Sequence, residues 1–169
     1  MRPRRRLVEA DAVSVSDAGR VRPATAADLA DWARLRGALW PDEEGEEPND
    51  HEGEMREALA RPERDLCVLA FDAHGRACGF AEASLRTDYV NGTDSSPVGF
   101  LEGWYVAPEQ RGRGVGRALI GAVERWTRER GCEELASDSL LDNHDAHHAH
   151  AACGFEETER VVYFRKRLG

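Results

Sequence analysis

Between Arg111 and Arg117 the chain alternates three glycines, Gly112, Gly114 and Gly116, with Arg113 and Val115, and an arginine stands at each end. That spacing bears on chemistry: the glycines clear side chains from a stretch of backbone, while Arg111, Arg113 and Arg117 add positive charge. Val115, Leu119, Val123 and Trp126 recur at helical intervals, so the turn opens a helix running to about Arg130, with Gly131 as its C-cap. The apolar run VGFLEGWYV (98–106) ahead of the turn reads as a strand. Backbone N–H groups at such a strand-to-helix turn lack intrahelical partners and lie in the positive end of the helix dipole, which suits phosphate or pyrophosphate. Two phosphate patterns do not apply. Position 117 is Arg where G-x-G-x-x-G requires Gly, and no Gly-Lys-Ser/Thr follows. Taken alone, the turn reads equally as a connecting loop with solvated arginines.

Carboxylates form the second set. Glu102 interrupts the apolar strand two residues before Trp104, which places both on one face if the strand alternates regularly. An unpaired buried carboxylate is costly, so Glu102 is expected to meet a cation or to carry a proton. Asp138, in ASDSL, poses the same question at the end of the next strand, or caps a turn there. From Asp42 to Glu54 eight of thirteen residues are acidic, an ordinary solvated charge run unless a polycation binds it. Trp40 stands just before that run and could floor a sugar ring. His144, His147, His148 and His150 crowd one short helix, but no cysteine or carboxylate is spaced to complete a structural metal set, and no metal is expected.

The elements that must position these groups read as one α/β (α+β) domain. At 169 residues the chain is long enough to bury a core. A helix begins after Thr25 and Asp28, which have capping-box spacing, and carries Leu29, Trp32, Leu35 and Leu39. A second helix ends near Leu59, strands at 66–71 and 76–86 form a hairpin, and strand 98–106 follows a polar loop. EELASDSL reads as a strand, NHDAHHAHAAC as a short helix and ETERVVYFRKRL as a terminal strand. No apolar run approaches the roughly 20 residues of a membrane span. The basic start has no apolar segment behind it, so residues 1–19 are expected to be a disordered extension or a misassigned start, with the domain over 20–169. Cys67, Cys78, Cys132 and Cys153 include no C-x-x-C pair and read as buried thiols of a cytoplasmic protein. The net charge of −9 argues against nucleic-acid binding and fits a cationic partner.

Arg111-x-x-Gly114-x-Gly116, after a strand and opening a helix, resembles the acetyl-coenzyme-A signature of the GNAT superfamily of N-acetyltransferases. Gly154-Phe155 resembles that superfamily's helix-to-strand closure. FAEASLRTDYVNGTDSSPVGFLEGWYV, ASDS and GFEETERVVYFRKR extend the likeness to the aminoglycoside 6'-N-acetyltransferases, over about residues 21–168. The resemblance implies a mixed, mostly antiparallel sheet flanked by helices and splayed at the strands that take acetyl-CoA.

Acetyl transfer to an amine needs a positioned thioester, an amine freed of its proton, a stabilised oxyanion and a protonated leaving thiolate. By resemblance Trp104, Tyr105 and Val106 pair with the pantetheine arm, the Val106 N–H meets the thioester oxygen, Asn143 touches pantetheine, and Arg111 to Arg117, including Gly112, Arg113, Gly114, Val115 and Gly116, hold the pyrophosphate. Trp40, Glu43, Tyr89, Glu102, Asp138 and Glu159 would contact the aminoglycoside, Tyr89 from the second subunit of a homodimer. Glu102 or Asp138 would draw off the amine proton. His150 stands where many of these enzymes have the tyrosine that protonates the thiolate, so it is the candidate acid. The same residues would serve an acetyltransferase of polyamines or peptide N-termini, and a non-catalytic acetyl-CoA sensor would need only the cofactor half.

Overall fold

The computed structural model describes residues 20–42 and 50–169. Five strands form one sheet in the order β1 (Arg20–Pro23), β2 (Asp65–Phe71), β3 (Ala77–Arg86), β4 (Val98–Val106) and β5 (Leu135–Ser137). The first three pairings are antiparallel and β4–β5 is parallel, as the resemblance implied.

Alternation along β2 explains the layers. Val68 and Ala70 face one side, where α3 (Val115–Glu129) lays down Val115, Leu119, Ile120, Val123 and Trp126. Cys67 and Leu69 face the other, where α1 (Leu29–Leu39) and α2 (His51–Ala60) supply Trp32, Leu35 and Met55. Burying each large apolar side chain is worth about 1.5–3 kcal/mol, so both faces contribute to one core. α1 is set at its start by Asp28, whose carboxylate accepts from the Thr25 N–H at 2.8 Å and pairs with Arg22 at 2.7 Å. α3 ends as expected at Gly131: the Cys132 and Gly131 amides close on Thr127 and Arg128, a Schellman stop. α4 (His144–Ala152) completes the helices. Among the described residues no helix is long and apolar enough to cross a membrane.

One expected element does not form. Among the described residues the segment read as a terminal strand pairs with no other strand, and Val162, Tyr163, Phe164 and Leu168 are 76% to 93% exposed. Its composition suits a strand, but a strand needs an edge to supply its hydrogen bonds, and among the described residues this arm meets none. Residues 1–19, the expected extension, lie outside the described residues, as does Glu43.

Candidate active site

The glycine turn is built from three different requirements. Past the short 3-10 turn Pro108–Gln110, Gly112 and Gly114 take φ of +72° and +83°, a left-handed backbone that a side chain disfavours. Gly116 is already helical, and a Cβ there would lie 2.8 Å from Cζ2 of Trp104, so its glycine serves the close packing of that indole. The first intrahelical bond runs from Ala118 N–H to the Gly114 carbonyl at 3.0 Å, which leaves the amides of Val115, Gly116 and Arg117 at the open helix end. Arg113 and Arg117 are exposed beside it. Arg111 turns back instead: its Nε donates to the Val106 carbonyl at 2.9 Å.

β4 reaches this turn through a bulge. Pairing with β3 passes from Ala83↔Leu101 to Glu82↔Gly103, so Glu102 is the extra residue. The bulge reverses the alternation. Leu101 packs on the α3 face, Glu102 and Gly103 both look to the α1 face, and Trp104 returns to the α3 face. The expectation that Glu102 and Trp104 share a face is therefore wrong, because it assumed an unbroken strand.

The backbone changes phase with the side chains. Before the bulge, Gly99 and Leu101 direct their polar groups toward β5: the Gly99 N–H donates to the Glu134 carbonyl, and the Leu101 carbonyl accepts from Ser137 Oγ at 3.3 Å. After it, the Ala107 N–H donates to Cys78 on β3. By alternation the N–H groups of Trp104 and Val106 point away from β3. There β5 no longer accompanies them, since its register ends at Leu101↔Ser137. The two strands thus part at Ser137, and the open side of β4 carries backbone donors leading to the glycine turn.

At that parting point stands His150. Its Nδ1 lies 2.7 Å from the Ala146 carbonyl, which can only accept, so Nδ1 carries a proton. Nε2 then faces Ser137 Oγ at 3.0 Å. Trp104 and Phe155 meet the ring edge-on, at 5.6 and 5.1 Å between centroids. Asn143, expected at pantetheine, uses its Oδ1 to cap α4 through the Ala146 N–H at 3.1 Å, which leaves its NH₂ to donate elsewhere.

The α1 face of β4 is charged. Glu102 accepts a hydrogen bond from Ser84 Oγ and takes Arg86 across both oxygens, at 2.9 and 2.8 Å. Its side chain is 35% exposed, so it is neither buried nor unpaired: the required cation is already present in Arg86, which also stacks over Phe100 at 3.5 Å. The more secluded carboxylate is Glu82, directly across β3 from Gly103, with its side chain 15% exposed. Trp32 Nε1 donates to it at 2.6 Å, and burial pushes its carboxyl above the usual range, against the opposing pull of Arg36 and Trp32. Trp40 lies against Gly103, where a Cβ would come within 2.3 Å of the indole.

The remaining candidates are not gathered here. Asp138 is exposed just past β5, Tyr89 is 77% exposed on the 87–97 loop, and Glu159 rides on the exposed arm. The structure thus collects Trp104, Ser137 and His150 on one side of β4, and Trp40, Glu82 and Glu102 on the other. Glu82, Ser137 and Arg36 escaped the sequence reading. Glu82 carried a usable signal, an acid inside the apolar run GFAEAS, the same anomaly that singled out Glu102.

Comparison with known proteins agrees with this geometry. Residues 30–155 match the Acetyltransferase (GNAT) family. The chain is 57% identical over 154 residues to an aminoglycoside N(6')-acetyltransferase type 1 of Stenotrophomonas maltophilia, covering 91% of this chain and 97% of that one. It is 45% identical to the aminoglycoside antibiotic 6'-N-acetyltransferase AAC(6')-IG of Acinetobacter haemolyticus, whose crystal structure superposes with a TM-score of 0.80 over 89% of this chain and 99% of that one. AAC(6')-Iy, solved with the bisubstrate analogue CoA-S-monomethyl-acetylneamine, is 46% identical with a TM-score of 0.80, covering 88% and 97% of the two chains. A splayed β4, a glycine turn at a helix N-terminus and this degree of identity lead to one assignment: the chain belongs to the GNAT acetyltransferase family, in its branch of aminoglycoside 6'-N-acetyltransferases.

Proposed function

We propose that the chain transfers the acetyl group of acetyl-CoA to the 6'-amino group of aminoglycosides, a reaction that confers resistance to these antibiotics. The observation that carries this reading is the bulge at Glu102. It turns one side of β4 into a backbone ladder ending at an anion-binding turn, and gives the other side a carboxylate surface suited to an ammonium-bearing substrate.

The residues divide the work accordingly. The amides of Gly114 to Arg117, with Arg113 and Arg117, hold the pyrophosphate. Trp104 and Val106 N–H groups align the pantetheine arm, and the Val106 N–H is placed to polarise the thioester carbonyl. The amine nitrogen bonds to the carbonyl carbon as the carbon–sulfur bond breaks; the ammonium sheds two protons, one before attack and one as the amide forms, and the sulfur takes up one. The protons shed by nitrogen leave through water toward the carboxylates Glu102 and Asp138. Because Arg86 occupies Glu102, its main role is to attract and orient the substrate. His150, whose Nε2 lies 3.0 Å from Ser137 Oγ where β4 and β5 part, is the acid that returns a proton to the thiolate. Trp40, Glu43, Tyr89 and Glu159 make up the rest of the aminoglycoside surface.

The enzyme acts as a cytoplasmic homodimer. Support comes from the arm after Phe155, whose exposed apolar run Val161–Phe164 calls for a second copy to cover it, while β5 remains an edge strand among the described residues. In a dimer Tyr89 and Glu159 can complete a neighbour's site. Titrating kanamycin into the protein with and without coenzyme A tests the reading. It predicts binding of both ligands with kanamycin contacts on the α1 face. Coenzyme A binding without any kanamycin binding would reduce the protein to a sensor or to an acetyltransferase of another amine.

A further inference from the structure

Arg36 sits in α1 with its side chain only 8% exposed, an unusual place for a cation unless carboxylates surround it. Two do. Its Nη2 donates to Glu54 of α2, and its Nε lies 3.5 Å from Oε1 of Glu82 on β3, at the level of the bulge. The Nε hydrogen makes no hydrogen bond, so the Glu82 contact is electrostatic. The guanidinium also lies 5.0 Å from the ring centre of Trp40, one helical turn further on. The edge of that indole is pressed against Gly103, where no side chain would fit. Arg36 therefore touches α2, β3 and the Trp40 ring together.

We propose that Arg36 is a positioning residue for the aminoglycoside: by bridging Glu54 and Glu82 it fixes the Trp40 indole over Gly103 and holds α2 against β3, and so sets the shape of the acceptor face. The proposal rests on the acetyltransferase reading for its substrate, but not for its geometry. Two consequences separate it from a merely stabilising ion pair. The effect falls on one substrate only, because the coenzyme A half of the site lies across the sheet, against α3. It also requires the planar fork and stacking surface of arginine, which lysine does not reproduce.

The test compares Arg36→Met, Arg36→Lys and Glu54→Gln with the wild type, using kanamycin and acetyl-CoA as substrates. Arg36→Met is expected to raise the kanamycin KM about tenfold while leaving the acetyl-CoA KM within about twofold. Arg36→Lys should restore stability more than it restores that KM. Glu54→Gln, at the exposed end of the bridge, folds in any case and should raise the kanamycin KM about threefold. An equal change in both KM values, full rescue by lysine, or an unchanged kanamycin KM in folded Glu54→Gln would overturn the proposal. Should the wild type acetylate no aminoglycoside, the functional reading fails, and Trp40 itself decides the rest. Its contribution to near-ultraviolet dichroism, isolated by subtracting Trp40→Phe, should collapse in Arg36→Lys if Arg36 holds the ring. An unaltered Trp40 signal would refute the positioning role independently of activity.

Discussion

The two faces of β4 are held by different physics. On the α3 face Ala81, Ala83, Leu101, Leu119 and Val123 pack without a charged group, and the result is a rigidly seated helix whose N-terminus points at the glycine turn. On the α1 face the apolar cluster of Trp32, Leu35 and Phe80 gives way, toward the bulge, to Arg36, Glu82, Glu102 and Arg86. The difference is instructive. A phosphate can be held by backbone amides that need only be fixed in place, so an apolar anchor suffices. A polycation must be met by side-chain carboxylates, and carboxylates near a core have to be kept in position by cations of the protein's own until the substrate arrives.

The harshest way to break this contrast is at the apolar anchor. Leu119→Ala removes a fully buried side chain and should cost about 2–5 kcal/mol of stability by denaturant unfolding. A smaller loss would mean that α3 is not the rigid half. Within the turn, Gly114→Asp puts a carboxylate and a strained left-handed residue where the pyrophosphate should lie. Coenzyme A affinity should fall about tenfold or more, some 1.4 kcal/mol, while kanamycin binding stays intact. Calorimetry showing normal coenzyme A binding in the folded variant would make the turn a plain connector.

Away from the turn, Glu102→Gln and Asp138→Asn preserve shape and remove charge. For a general base the loss in kcat would be roughly 10²–10⁴-fold. With Arg86 already on Glu102, the expected result is instead a rise of several-fold in the aminoglycoside KM and a minor fall in kcat, as steady-state kinetics can separate. A large kcat loss would promote Glu102 from holder to base.

How far these residues could be read from the sequence follows the same division. The strand, turn and helix from Val98 to Glu129 were legible because hydrophobic period and glycine spacing are local signals. The bulge was not. It arises from the mismatch in register between β3 and β4, a long-range property, and it moved Glu102 to the opposite face from Trp104. Arg36, Glu82 and Glu54 likewise meet only through folding: Arg36 and Glu54 read as ordinary solvated charges, and Glu82, though an acid in an apolar run, gives no sign of its partners. The arm is strand-like in its residues, yet among the described residues no edge pairs with it. A residue proposed to act from a neighbouring copy, such as Tyr89, leaves no trace in the fold of one chain.

The smallest expected effect is a pH-dependent one away from the site. Arg22 and Thr25 hydrogen bonds hold the Asp28 carboxyl well below its usual range. A depressed carboxyl stabilises the fold above its unfolded value of about 3.9 and loses that contribution as pH falls through the folded value. Thermal unfolding should therefore show wild type and Asp28→Asn differing by about 1 kcal/mol near neutrality, roughly 2–4 °C, and converging as the pH drops below about 4. A constant difference across that range would mean that the cap acts through shape rather than charge.

The most direct test of the central claim is the position of the acetyl group. With ¹³C-labelled acetyl-CoA and kanamycin, the enzyme should release coenzyme A thiol in step with a single product, and two-dimensional NMR should place the new amide on the 6' nitrogen. An acetyl group on another nitrogen, or thiol release that does not depend on the aminoglycoside, would contradict the account.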